Sequence, residues 1–284
     1  MILTIDAGNT KTKWALFDTH GNIRHQDACF NAEITTAELL PNPFHCSQIV
    51  ISNVAGAQHA EKLEKRLQPH QAKITWIKAS KQAANMTNQY SQPKTLGTDR
   101  WAALIAAWHL QQSSCVVVNA GTATTIDAVI HHEVDGKPYG EFVGGMILPG
   151  IDLMQQSLGT GTAQLPQNIT HAPAEVKGVI SPFATTTANA IYSGALNATS
   201  GAIKQMMQTI TQTYQHQPKV IISGGNAMAI KQSLHEEHLD KTLNQNSLDM
   251  ATLQTEKTVT IVDNLVLHGL YLLATLATPP TTQS

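Results

Sequence analysis

Ile2-Leu-Thr-Ile-Asp-Ala-Gly-Asn-Thr-Lys-Thr-Lys-Trp-Ala-Leu-Phe17 and Cys115-Val-Val-Val-Asn-Ala-Gly-Thr-Ala-Thr-Thr-Ile-Asp-Ala-Val-Ile130 read as two copies of one unit. In each, a β-prone run enters a short polar turn with a glycine near its tip, and a second β-prone run leaves it, which is the pattern of a strand-turn-strand hairpin. Sliding the first hairpin forward by 113 positions superposes Ala7 on Ala120, Gly8 on Gly121, Thr12 on Thr125 and Ala15 on Ala128, while Asp6 meets Asn119. Two hairpins of one design predict two similarly built halves, residues 1–114 and 115–284, each directing a glycine-bearing turn toward a shared cleft. Chance similarity between hairpins rich in small residues accounts for the match about as well.

The flanking sequence is mixed α/β. Gln48 to Ser52 and Lys73 to Ile77 are short β-like runs around a helical stretch, as expected where strands and helices alternate. From Arg100, the apolar residues Trp101, Leu104, Ile105 and Trp108 recur at helical spacing, and Asp99 or Thr98 is placed to cap that helix. Gly144 to Gly150 reads as a glycine-rich loop before a helix over Ile151 to Leu158, and Thr160 to Pro166 as irregular chain. Thr187 to Met207 has helical composition, with Gly194 and Gly201 expected to mark close helix packing. Lys219 to Asn226 is a strand running into a double-glycine turn, Ala227 starts a helix, Thr258 to Val262 is the last strand, and a helix follows from Asp263 to about Ala274.

Composition narrows the classes. The 284 residues include 18 basic and 20 acidic side chains, with 42% hydrophobic and 13% charged overall. That supports a sizeable core and excludes a solvating, disordered chain. A net charge of −2 without a Lys/Arg run removes the electrostatic argument for nucleic acid or anionic membrane as a partner. Three scattered cysteines, Cys29, Cys46 and Cys115, fit neither a disulfide framework nor a zinc knuckle and point to a reducing, cytoplasmic setting. No secretory signal is expected at the amino end, and Leu265 to Ala277 is too short for a membrane span.

Three glycine-bearing turns follow strands, at Gly8, Gly121 and Gly224-Gly225. Glycine lets backbone amides approach a phosphate, and Asn9, Thr10, Thr12, Thr122 and Thr124 add hydrogen-bonding side chains. Any one of these is an ordinary tight bend; the three together point to a nucleotide, although neither the P-loop lysine motif nor GxGxxG is present. Asp6, ending its strand beside Gly8, could hold Mg²⁺ or could accept backbone hydrogens within the turn. Lys11 and Lys13 could neutralise phosphate or be ordinary exposed hairpin lysines. At Gly97-Thr98-Asp99-Arg100 an acid and a guanidinium share a helix start, so Asp99 could accept a proton from a substrate hydroxyl and Arg100 could fix a carboxylate or carbonyl. A helix cap with a surface ion pair is the plainer reading of those four residues. The 13 histidines include no HExxH, and no G-x-S-x-G elbow is present.

Taken in order, Asp6-Ala-Gly-Asn-Thr-Lys-Thr-Lys13, Leu96-Gly-Thr-Asp-Arg100, Ala120-Gly-Thr-Ala-Thr-Thr-Ile-Asp127, Gly144-Gly-Met-Ile-Leu-Pro-Gly150, Gly161-Thr-Ala-Gln-Leu-Pro166 and Ser223-Gly-Gly225 resemble the type III pantothenate kinases. That family belongs to the acetate and sugar kinase, Hsp70 and actin superfamily. The resemblance spans residue 6 to about residue 226. It implies two actin-like, ribonuclease H-like halves, each a mixed five-stranded sheet with flanking helices and a cleft between them. It also implies ATP-dependent phosphorylation of pantothenate to 4′-phosphopantothenate, the first step toward coenzyme A. By position, Asp6, Ala7, Gly8, Asn9, Thr10, Lys11, Thr12 and Lys13 would form the first phosphate-binding turn, with Asp6 near Mg²⁺, and Thr122 would contact ATP from the second. Tyr90, Gly97, Thr98, Asp99, Arg100 and Thr187 would line the pantothenate site, with Asp99 as proton acceptor. The resemblance further implies a homodimer. Where many members carry aspartate to hold a monovalent cation, K⁺ or NH₄⁺, this chain has Asn119, and losing the negative charge predicts weak or absent K⁺ dependence. Another kinase or phosphatase of the superfamily and a noncatalytic regulator that retains the cleft are the competing readings.

Overall fold

The computed structural model describes residues 1–41, 44–161, 182–242 and 258–276. Along the chain run β1 (Ile2–Ala7), β2 (Lys11–Phe17), β3 (Ile23–Phe30), β4 (Gln48–Asn53), α1 (Ala57–Leu67), β5 (Lys73–Trp76), β6 (Gln82–Ala83), β7 (Met86–Asn88) and α2 (Thr98–Gln111). They are followed by β8 (Cys115–Ala120), β9 (Ala123–Val134), β10 (Lys137–Pro149), α3 (Ile151–Gly161), α4 (Thr187–Tyr214), β11 (Lys219–Ser223), α5 (Ala227–Thr242), β12 (Val259–Ile261) and α6 (Leu265–Thr275).

Two compact units result, and they are discontinuous in sequence, unlike the expected halves 1–114 and 115–284. The first joins Met1–Gln112 and His131–Val143 to the chain from Asn264, and the second holds Ser113–Ile130 and Gly144–Asp263. The reason lies in two returns of the chain. The first part of β10 pairs in parallel with β7, itself hairpinned to β6, and α6 packs on α2, where the missing side chain of Gly269 admits the backbone of Ala102.

In the first unit the sheet order is β3-β2-β1-β4-β5. The front three strands pair antiparallel and β1, β4 and β5 run parallel. Strand alternation divides β1 cleanly. Leu3, Ile5 and Ala7 face one side, joined by Ile49, Ile51 and the α1 residues Leu63 and Leu67 in a buried apolar core. Thr4 and Asp6 face the other side. The second sheet departs from the expected five strands: among the described residues it has seven, in the order β12-β11-β8-β9-β10-β7-β6, and its first five repeat the order of the first sheet, with β8 antiparallel to β9 and parallel to β11, and β11 parallel to β12. The α/β class with two mixed sheets agrees with the actin-like expectation.

The repeat is real in the first strand of each hairpin and shifts by one residue in the second. Ala7 pairs with Thr12, but Ala120 pairs with Thr124. The first turn closes through Gly8 N–H to the Lys11 carbonyl at 3.1 Å and the second through Gly121 N–H to the Ala123 carbonyl at 3.2 Å, so the second is a residue shorter. Thr124 is therefore the counterpart of Thr12, and a one-residue slip of this kind exchanges the faces of a strand.

Other expectations change as well. Residues 144–149 continue β10 instead of forming a loop, because half-buried Met146 and Leu148 alternate with exposed Ile147 and Pro149, and that period of two prevails over the glycines. Neither Thr98 nor Asp99 is the N-cap of α2; Gly97 holds that position, and the helix already includes both. A Cβ at Gly194 or Gly201 would meet nothing within 4 Å, so neither marks close packing among the described residues. Helix α4 runs past Met207 to Tyr214 and starts from a side-chain cap, the Thr186 hydroxyl accepting from Asn189 N–H. Residues 162–166 of the Gly161 motif lie outside the described residues.

Candidate active site

The parallel register of β1 and β4 builds the first unit's site. Asp6 sits beside Ser52 on one side and opposite Lys13 on the other, and register partners project from the same face of a sheet. The Ser52 hydroxyl shares a 2.8 Å hydrogen bond with that of Thr98, the first residue of α2. That bond pins the start of α2 over the strand ends, which brings Asp99 into electrostatic reach of Asp6. Gly97 leaves this carboxylate its place: a Cβ on it would lie 2.6 Å from Oδ1 of Asp99 and displace that oxygen. The same Oδ1 accepts the Arg100 backbone N–H at 2.8 Å, fixing the carboxylate at the helix start.

Asp6 is the group under most electrostatic stress. Its Oδ1 is buried and has no hydrogen-bond partner among the described residues. Burial first, and the Asp99 charge second, push its carboxyl up from 3.8 to about 7, against the pull of Lys13. Between about pH 4 and 7 the folded protein thus keeps a proton that the unfolded chain releases, and stability falls as pH rises through that window. Asp6→Asn removes the effect. It is expected to stabilise the nucleotide-free protein by about 2 kcal/mol above pH 7, allowing for partial solvent contact, and hardly at all near pH 4. Thermal melts at the two pH values check it. An orphaned carboxylate oxygen at the end of a strand also fits a Mg²⁺ ion, which takes one or two protein oxygens together with water and phosphate.

Arg100 is buried, and its Nη1 donates to the Tyr90 hydroxyl at 2.8 Å. The guanidinium lies over the rings of Tyr90 and Phe142, 5.6 and 6.0 Å from their centroids. Tyr90 is held in turn, its N–H donating to Asn88 Oδ1 at 3.0 Å and its ring 5.3 Å from that of Phe142. The cluster of Tyr90, Arg100 and Phe142 is a cation on an aromatic floor, and it follows Asp99 directly. It can receive a carboxylate or carbonyl beside an alcohol held at Asp99.

At the hairpin turn, Asn9, Thr10 and Lys11 are exposed, whereas Thr12 is buried. The Lys11 ammonium rests 4.7 Å from the centroid of the Phe30 ring. In the second unit Thr122 is exposed at its turn and its carbonyl accepts Gly150 N–H at 2.9 Å. Asn119, half-buried at the end of β8, pairs with Thr125 and Ser223 in the neighbouring strands, and Thr187 opens α4 exposed. The structure therefore gathers Asp6, Lys13, Thr98, Asp99, Arg100 and Tyr90 in the first unit and places Thr122, Asn119 and Thr187 in the second. Sequence reading missed Ser52 and Phe142. Ser52 alone had a signal, as the last residue of a β-like run that can lie beside Asp6. Among the described residues there is no group of three or more His, Cys, Asp or Glu side chains able to hold a metal ion, and no helix long and apolar enough to cross a membrane.

A family model for type III pantothenate kinases matches residues 2–209. A type III pantothenate kinase of Nitrosospira multiformis is 36% identical over 274 residues, covering 96% of this chain and 91% of that protein. One from Janthinobacterium sp. is 36% identical over 291 residues, covering 98% and 99%. Among solved structures, a Baf family transcriptional activator from Campylobacter jejuni superposes with a TM-score of 0.50 at 18% identity, covering 96% of this chain and 97% of that one. At that identity the likeness bears on the fold alone.

Proposed function

The chain belongs to the type III pantothenate kinase family, and from that premise we propose that it transfers the γ-phosphoryl group of ATP to the hydroxyl of pantothenate, with Asp99 as the proton acceptor. The observation that supports this reading is the anchoring of Asp99 beside Asp6 by the Ser52–Thr98 bond, with Arg100 on its aromatic floor in the next position. In the step, the pantothenate hydroxyl oxygen forms a bond to the γ-phosphorus while the bond from that phosphorus to the bridging oxygen breaks. ADP leaves with the electron pair, and the hydroxyl proton passes to the Asp99 carboxylate.

Residues Asp6 to Lys13 bind the phosphates through the turn's amides and side chains, and Thr122 contacts ATP from the second unit. Lys13 sits opposite Asp6 in the sheet register and offsets part of its charge. Asp6 would hold Mg²⁺, directly or through water; when bound with ATP, that ion neutralises phosphate charge, which a loose phosphoryl transition state requires. Arg100, Tyr90, Gly97, Thr98 and Thr187 orient pantothenate. Homodimeric assembly and a cytoplasmic location belong to the same reading; Cys29, Cys46 and Cys115 are free thiols, which suits the latter.

The test is ADP release coupled to pantothenate addition, run with K⁺, with NH₄⁺ and with neither. Turnover that needs pantothenate is the expected result; ATP consumption indifferent to it would defeat the proposal. Because Asn119 offers an amide oxygen without charge, activation by K⁺ is expected to be weak or absent, and Asn119→Asp is expected to increase it. Strong activation of the unmodified protein by K⁺ over an inert cation would refute the assignment of that effect to Asn119.

A further inference from the structure

Asn31 follows β3 directly, and no role in the reaction has been given to it so far. Its side-chain amide nitrogen donates to the Gly8 carbonyl at 2.8 Å and to the Asn9 carbonyl at 3.1 Å, and its backbone N–H donates to the Thr10 carbonyl at 3.1 Å. Three successive carbonyls of the first turn therefore point at one residue. In a trans peptide the N–H lies opposite the C=O across a rigid plane. Capturing those carbonyls turns the N–H groups of Asn9, Thr10 and Lys11 away from Asn31, which is how successive amides are aligned into an anion-binding concavity.

The amide is oriented from behind. Thr12 Oγ donates to Asn31 Oδ1 at 2.9 Å, and buried His59, on α1, meets the same Oγ through Nε2 at 2.8 Å. Thr12 has one hydroxyl proton and gives it to Asn31, so His59 Nε2 carries the hydrogen and donates. This sets Oδ1 toward Thr12 and leaves the Asn31 NH₂ group facing the turn.

We infer that Asn31 is a positioning residue for the nucleotide phosphates, acting through the Gly8–Thr10 backbone, with His59 holding its orientation through Thr12. The inference rests on the ATP-dependent reading of the first turn but not on pantothenate as the acceptor. Asn31→Asp is the sharpest variant, because a carboxylate still accepts from Thr12 but cannot donate to the Gly8 and Asn9 carbonyls and repels them. Affinity for a non-hydrolysable ATP analogue with Mg²⁺, measured by calorimetry, is expected to fall about 10–100-fold in Asn31→Asp and Asn31→Ala, the scale of misplaced phosphate donors. The KM for ATP should rise in step while that for pantothenate stays put. His59→Leu should weaken the analogue in the same direction, and His59→Gln, whose amide can donate to Thr12, should restore it.

Analogue affinity unchanged in Asn31→Ala, or a pantothenate KM that rises equally, overturns the inference. If Asn31→Ala does not fold, the contrast between His59→Leu and His59→Gln decides: equal affinities overturn it. A wild-type protein that binds the analogue but leaves pantothenate unphosphorylated defeats the acceptor assignment, and the binding series then decides the inference by itself. A wild-type protein that binds no ATP analogue overturns both.

Discussion

Asp99→Asn is expected to lower kcat by roughly 10²–10⁴-fold, the range for losing a general base, while the protein keeps its fold and melts no lower than the parent. The substitution is nearly isosteric, and an asparagine oxygen can accept the Arg100 N–H that Oδ1 of Asp99 accepts at 2.8 Å. Gly97 leaves room for that oxygen in either variant. What disappears is the ability to take the hydroxyl proton as the oxygen bonds to phosphorus. The loss corresponds to about 3–5 kcal/mol of transition-state stabilisation and should appear in kcat, with pantothenate affinity by calorimetry little changed. Near-normal turnover would remove Asp99 from the role.

The largest effect on stability is expected at Gly269→Ala. A Cβ there would run into the carbonyl carbon and oxygen of Ala102 and lie 2.9 Å from its Cα, all of them backbone atoms of α2. No rotamer change relieves such a clash, so α6 must move away from α2. That in turn disturbs Leu265, Leu267 and Leu270, which are almost wholly buried in the first unit. Overpacking against immovable backbone is expected to cost about 3 kcal/mol or more, enough to lower the melting transition by roughly 5 °C in a protein of this size. Differential scanning calorimetry reads it directly, and a melt within a degree or two of the parent would mean that the two helices separate freely.

These two sites show which parts of the molecule could be read from the chain. The hairpins were legible because strand, turn and return strand are neighbours in sequence, and the offset held through β1 and β8. It failed in the return strands because turn length, which fixes register, is set by backbone closure. Strand β3 gave little signal: Ile23–Phe30 is largely exposed and lacks the apolar face that marks a strand. At β10 the glycines argued for a loop and lost to alternation. Within the site, the residue types at Gly97–Arg100 were visible, but their nearness to Asp6 depends on the parallel pairing of β1 with β4 and on one hydroxyl pair. Asn31 was invisible for a similar reason. Its partners are carbonyl groups, which every residue has, and only the fold selects them. Nothing in the sequence separates Gly269 from any helical glycine, because the backbone that fills its place belongs to another helix.

That late helix bears on the order in which the protein is made. Since α6 covers α2 yet follows every strand of the second unit, ribosomal synthesis exposes Ala102 and its buried neighbours well before their cover exists. The second unit gains its last strand, β12, only three residues before α6 begins, so neither unit is complete until that late stretch is made, and the nascent amino-terminal unit waits with an apolar flank open to chaperones and to other emerging chains.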